Sequence, residues 1–180
     1  MNAFRGDQIP FSPIVDQSER SATDFADKLY QALEIANPNL YTKLISGEAA
    51  VLDLGGGMGK FEMELRKSGV ANVASLDVVD RGSEVPGKII GDVHAMPVEN
   101  ESKDLVTSFG LLDKAMYRES GIDVDKILDE IYRVLKNNGS YFTIDFSYFF
   151  DPIDLNNFLE KQKSIFSIKN VGLCWVLTKL

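Results

Sequence analysis

The run Val51-Leu-Asp-Leu-Gly-Gly-Gly-Met-Gly-Lys-Phe61 constrains this 180-residue chain more than any other segment. Four apolar-patterned residues, Val51 to Leu54, predict a short strand. Four glycines follow within five positions, and then a helix begins at once. Glycine lacks a Cβ, so it accepts positive φ and leaves room for a group held close to the backbone. The helix behind the loop aims its free N–H groups and the positive end of its dipole at that group. The segment therefore predicts a nucleotide-like cofactor with an anionic end.

The glycine spacing excludes two common phosphate grips. A dinucleotide-binding turn needs G-x-G-x-x-G, and counting from Gly55 its third glycine falls on Lys60. A P-loop needs G-x-x-x-x-G-K-[ST], and the positions around Gly59-Lys60 hold Leu54 and Phe61 instead. What remains is G-x-G-x-G at Gly55, Gly57 and Gly59.

The rest of the chain alternates strand and helix patterns. Ser21-Ala-Thr-Asp24 predicts a helix start, Phe25, Leu29 and Leu33 one buried helix face, and Asn37-Pro38-Asn39 its end. Past the glycines, Phe61 and Leu65 continue a helix, Glu62 and Arg66 form an i,i+4 pair, and Gly69 stops it. Strands are predicted at Val73–Asp77, Lys88–Asp92, Leu105–Phe109 and Tyr141–Asp145. A helix runs from about Asp123 to Lys136, with Asn138-Gly139 as its stop. This alternation implies a parallel sheet covered on both faces. After a helix near Leu155 to Gln162, the strands Ile165–Lys169 and Leu173–Thr178 are separated by only three residues. Such a connection makes a hairpin, not a parallel crossover, so the last strand is expected to be antiparallel. One domain is expected: an arm over 1–20 with Pro10 and Pro13, a helix over 21–37 and a core over 48–180.

Composition narrows the function classes. One cysteine, Cys174, and one histidine, His94, leave no internal disulfide and no cysteine- or histidine-based metal site. No stretch reaches the ~18 apolar residues of a membrane helix. The N-terminus lacks the apolar core of a signal peptide, so a cytoplasmic protein without a membrane partner is expected. The formal net charge of -8, with no basic stripe, disfavours a nucleic-acid partner.

Val51-Leu-Asp53-Leu-Gly55-Gly-Gly57-Met-Gly59 resembles the first motif of the class I S-adenosylmethionine-dependent methyltransferases. Asp77, Asp92 within Gly91-Asp92-Val93-His94-Ala95-Met96-Pro97, the segment Asp104–Phe109 and the run Ile127–Gly139 resemble that family's later motifs, in order. The resemblance covers about Val51 to Asp145. It implies a doubly wound, seven-stranded, mainly parallel α/β sheet in the order 3-2-1-4-5-7-6 with the last strand antiparallel. It also implies S-adenosyl-L-methionine as cofactor, Asp92 at the adenine amino group and the Val93 backbone N–H at a ring nitrogen.

The residues themselves add to this. Ligands of open parallel sheets sit beyond the strands' carboxyl ends. Asp77 is placed there to accept both ribose hydroxyls, with Asp80 as the fallback. Asp53, a carboxylate among apolar neighbours, orients the loop or meets the cofactor's ammonium. Two roles are open to Phe109: a cofactor contact or ordinary core.

Methyl transfer needs positioning more than an enzyme nucleophile. The base candidates are Asp145, Asp113 and the lone His94. Asp113 stands where the family often carries a polar or histidine-containing segment, and here the chain departs from it. The aromatics of Phe146-Ser147-Tyr148-Phe149-Phe150 either hold an acceptor or fill a lid contact. No cap domain is inserted after Asp145, so the arm and first helix, with Tyr30 and Tyr41, form the lid unless a homo-oligomer supplies it. No Asn-Pro-Pro-Tyr follows the fourth strand, which counts against amino-methylating DNA enzymes. The expected reaction is methylation of a small molecule, with a protein acceptor second. Two alternatives stand beside it. One is a non-catalytic S-adenosylmethionine-binding scaffold. The other is an aminopropyltransferase-like enzyme, since Gly55-Gly-Gly57 resembles the loop of the spermidine synthases, although Met58 replaces their Asp.

Overall fold

The computed structural model describes residues 19–80, 86–111, 123–146 and 152–180. Its first helix, α1 (Glu19–Ala36), buries Phe25, Leu29 and Leu33 as their spacing predicts. It begins ahead of Ser21, because Glu19 and Arg20 are good helix formers and extend it. Asn37-Pro38 does end α1, but it also opens a helix the sequence reading did not expect, α2 (Pro38–Ile45). Asn37 caps α2 through the N–H of Leu40 at 3.2 Å, and Pro38 occupies a first-turn position where no N–H is needed.

The remaining elements are β1 (Val51–Leu54), α3 (Lys60–Lys67), β2 (Val73–Asp77), β3 (Lys88–Ile90), β4 (Lys103–Ser108), α4 (Val124–Val134), β5 (Leu135–Thr143), α5 (Pro152–Gln162), β6 (Phe166–Val171) and β7 (Cys174–Lys179). The strands form one sheet in the order β3-β2-β1-β4-β5-β7-β6. β1 to β5 pair in parallel, and β7 runs antiparallel to both β5 and β6. The hairpin turn is two residues, Gly172-Leu173, one fewer than the spacing predicted, with Gly172 at φ 65.

Side-chain alternation along the strands makes two cores. Val51, Val73, Leu105 and Phe142 face α1, α2 and α3. Leu52, Leu54, Leu76, Val106 and Tyr141 face α4 and α5. The sheet's amino-end rim is fixed by Asp104, which accepts the N–H of Ala50 at 2.8 Å and the ammonium groups of Lys43 and Lys136 at 2.7 and 2.9 Å.

Several predicted boundaries move. β3 stops at Ile90, because Asp92 leaves the ladder to close a turn, accepting the N–H of His94 at 2.9 Å. α4 stops at Val134, since Leu135 is already extended and pairs with Lys103. Asn138-Gly139 therefore ends no helix. It forms an irregularity in β5, with Asn138 at φ 62, and a Cβ at 139 would press on the carbonyls of Lys136 and Asp104 at 2.9 and 3.0 Å. β5 in turn ends at Thr143, two residues short of Asp145.

Candidate functional site

The strand order reverses between β1 and β4, and the glycine loop leaves β1 at that switch point. Gly55, Gly57 and Gly59 all hold positive φ, at 77, 56 and 79. Gly59 caps α3. The loop is tied to the next strand twice: the Gly55 N–H donates to the Leu76 carbonyl at 2.7 Å, and the Gly57 N–H to the Asp77 carboxylate at 3.1 Å. The other Asp77 oxygen accepts the Val79 N–H at 3.0 Å. Asp77 is thus held at the rim, against the loop.

Asp53 is buried one layer below. Its register partners are Ser75 on β2 and Thr107 on β4, and the Thr107 hydroxyl donates to it at 2.6 Å. Burial, followed by the nearby charge of Glu62, pushes its carboxyl well above the usual range. The Thr107 bond only partly opposes this.

Glu62 makes no ion pair with Arg66 at the predicted i,i+4 spacing, and it is fully buried. Arg66 turns away and donates to the carbonyls of Ala71, Val73 and Pro86. The Glu62 carboxylate lies under the loop, where a Cβ on Gly56 would land on its Oε1 and within 2.6 Å of the Ser75 Cβ. Neither of its oxygens has a hydrogen bond of ordinary geometry. Burial raises its pKa; the helix's own N–H and the nearby Ser75 hydroxyl offset that in part. A signal for this was present: Glu62 stands between Phe61 and Leu65 inside the buried stripe of α3.

Asp145 lies beside this group and faces inward. Its carboxylate accepts the Gly110 N–H at 2.7 Å and the Ser108 hydroxyl at 3.1 Å. Ser108 lies 2.7 Å from the Tyr141 hydroxyl and 3.1 Å from that of Thr143. Burial, then the Asp145 charge, pushes the Tyr141 phenol far up, so it stays a neutral donor. The network holds the turn after β4 in place. We expect Asp145→Ala to cost about 2–3 kcal/mol in chemical denaturation, because it strands buried donors, and to speed hydrogen exchange at Gly110. Unchanged stability would mean that the network carries no load.

His94 has both ring nitrogens engaged. Nδ1 lies 2.7 Å from Asp92, and Nε2 accepts the Asp123 N–H at 3.0 Å, which puts the ring proton on Nδ1. It braces the Asp92 turn against the cap of α4. Burial pushes the Asp92 carboxyl upward, but the His94 N–H and ring outweigh it and hold the pKa below the ordinary value. Val93 packs on the core beside them. Phe109 is partly exposed at the rim and stacks on Phe25, ring centroids 4.8 Å apart. Phe146 is core, packed on Tyr141, Phe158 and Trp175. Tyr30 and Tyr41 pack along the α1–α3 core. Asp113, residues 1–18 of the arm, and the aromatics Tyr148, Phe149 and Phe150 lie outside the described residues.

A parallel sheet with a glycine loop and rim carboxylates at its switch point defines a nucleotide-cofactor-binding α/β fold. The model of the methyltransferase domain family matches residues 52–143, just over half the chain. The chain belongs to that family and is an S-adenosyl-L-methionine-dependent methyltransferase domain. No curated protein matches its sequence. Among solved structures, it is similar to an S-adenosylmethionine-dependent methyltransferase from Thermotoga maritima, at 16% identity and TM-score 0.56, over 90% of this chain and 98% of that one. It resembles a candidate methyltransferase of the same kind from Methanococcus maripaludis at 17% identity and TM-score 0.52, over 90% and 92%. It also resembles a candidate sarcosine dimethylglycine methyltransferase from Galdieria sulphuraria at 27% identity and TM-score 0.50, over 73% of this chain but only 51% of that one.

The residues suit this cofactor. Its sulfonium and ammonium are cationic, and the loop is backed by Asp53 and Glu62, neither of which makes an ion pair among the described residues. The bare loop backbone leaves room for a ligand lying across it.

Proposed function

We propose that the protein methylates a small molecule in the cytoplasm, with Gly55, Gly57 and Gly59 under the methionyl portion of the cofactor. Asp77 takes the ribose hydroxyls, Asp92 and the Val93 backbone N–H take the adenine, Asp53 backs the ammonium end, and Phe109 borders the methyl. The observation that carries this reading is the Gly57–Asp77 bond, which joins the loop and the ribose acceptor in one unit at the sheet's switch point.

S-adenosyl-L-methionine, when bound, supplies a methyl on a cationic sulfur that an acceptor O, N, S or C displaces in line. The chain's contribution is orientation, which is worth up to roughly 7–11 kcal/mol. Asp145 and Ser108 fix the turn beside the reacting centre, and Asp77 fixes the loop below it. Both His94 and Asp145 are committed to structural bonds, which favours acceptors that need no strong base, such as an amine already neutral. The net charge of -8 supports a small or cationic acceptor over a nucleic acid. The Galdieria protein, named for sarcosine and dimethylglycine, points the same way.

The test is transfer of a labelled methyl group to a panel of small amines, hydroxy acids and thiols, with basic proteins and RNA as comparators. Label on a small molecule is expected. Label on protein or RNA alone would overturn the acceptor class. Cofactor binding with no transfer to any acceptor would favour the scaffold reading, to which the structural use of His94 and Asp145 lends weight.

A further inference from the structure

Glu62 and Asp53 are two buried acids that both lie beside Ser75, Asp53 as its register partner and Glu62 against it under Gly56, and the reaction itself does not require them as acids. Glu62 is 0% exposed and Asp53 is 5% exposed. Two cations lie near enough to Glu62 to oppose the effect of burial in part, but neither forms an ion pair with it. Arg66, on the same helix, holds three backbone carbonyls, and Lys88 on β3 pairs with Asp80 at 2.9 Å. The other charged groups facing the pair are acids: Asp77 from β2 and Asp145 from beyond β5. Ser75 and Thr107 supply only neutral hydroxyls. Two carboxylates in such a setting do not both ionise cheaply. The Glu62 carboxylate is aimed at the underside of Gly56, the middle glycine of the loop, with no ordinary hydrogen bond to hold it there.

We propose that Asp53 and Glu62 share one proton in the cofactor-free protein and release it when a sulfonium settles over the loop, which makes Glu62 a residue that selects S-adenosyl-L-methionine over S-adenosylhomocysteine. The inference rests on the cofactor assignment above. In the step, a carboxylic O–H bond breaks, its electron pair stays on the carboxylate oxygen, and the proton passes to the buffer. The two cofactor forms share adenosine, ammonium and carboxylate, and they differ only in the charge on sulfur. A cation stabilises the second carboxylate and a neutral thioether does not, so the protons are linked to one ligand and not the other. The pair titrates as a unit, with no division of the proton between its members.

The direction of the pH effect follows. Both acids have folded pKa values raised above their ordinary 3.8 and 4.5. Their contribution to stability is therefore greatest below those ordinary values and is lost as pH rises through the raised ones. The sulfonium offsets that loss. Preference for S-adenosyl-L-methionine over S-adenosylhomocysteine should then rise with pH, by up to about tenfold per pH unit while one proton is linked.

Calorimetry of the intact protein with each ligand, between about pH 5 and pH 7, where the ligand ammonium stays protonated, reads this directly. Repeating each titration in buffers of different ionisation enthalpy gives the number of protons exchanged. The expected result is more proton release with S-adenosyl-L-methionine than with S-adenosylhomocysteine, the difference reaching at most about one proton, and a difference near zero in Glu62→Gln. Equal proton counts for the two ligands in the wild type would overturn the proposal, and that comparison stands even if the variant fails to fold. So would a difference that persists in a folded Glu62→Gln. If neither ligand binds, the cofactor assignment itself fails, which is a distinct outcome.

Discussion

Gly57→Val is expected to weaken S-adenosyl-L-methionine binding by at least about 100-fold, or about 2.7 kcal/mol, while leaving most of the fold. Gly57 holds φ 56, a region that a β-branched residue enters only under strain. Its N–H must also stay in place to meet Asp77. Valine would either pull the loop out of this conformation or project two methyl groups from the backbone proposed to carry the cofactor. The sheet does not depend on that position, because its pairing ends at Leu54 and resumes in β2. Calorimetry would read the affinity and far-ultraviolet circular dichroism the fold. Normal affinity in the variant would mean that the ligand does not lie on this loop.

Asp77→Ala is the second large effect. It removes the proposed ribose acceptor, a charged one worth roughly 1.5–3 kcal/mol, and frees the Gly57 and Val79 N–H groups together. Affinity should fall by about 10- to 150-fold at that energy. Asp77→Asn should fall less, since an amide oxygen still accepts one of those bonds. An unchanged dissociation constant in both variants would remove Asp77 from the site and leave it a loop anchor.

Much of this molecule is legible in its sequence because its signals are local and mutually consistent. Glycines flanked by an apolar strand and a helix admit few backbones, and the three-residue gap before Leu173 allows only a hairpin. The seven-strand order came from a resemblance that the sheet bears out. What the sequence concealed depended on partners distant along the chain. Asn37-Pro38 is equally an end and a beginning, and only the burial of Leu40 and Leu44 shows that a second helix follows. Asn138-Gly139 resembles a helix stop, yet the chain has already turned into β5, where Leu135 finds Lys103.

The site divides along the same line. The glycines follow β1 and Asp77 ends β2, as their sequence patterns predict. Asp145 was expected to end the fifth strand, which stops two residues earlier at Thr143, and its turn toward Gly110 is decided by the segment after β4, thirty-five positions away. Glu62 and Arg66 fit the spacing of an i,i+4 pair. Competition from three free carbonyls drew Arg66 away, and the stripe of α3 carried Glu62 inward. Helical spacing alone does not reveal which of two compatible partners a long side chain will choose.

The most direct measurement is a crystal structure of the protein with S-adenosylhomocysteine bound. The account predicts the ligand lying across Gly55–Gly59, both ribose hydroxyls within hydrogen-bonding distance of Asp77 and the adenine beside Asp92 and Val93. A nucleoside bound elsewhere, or one at this rim with Asp77 making no contact to the ribose, would contradict it.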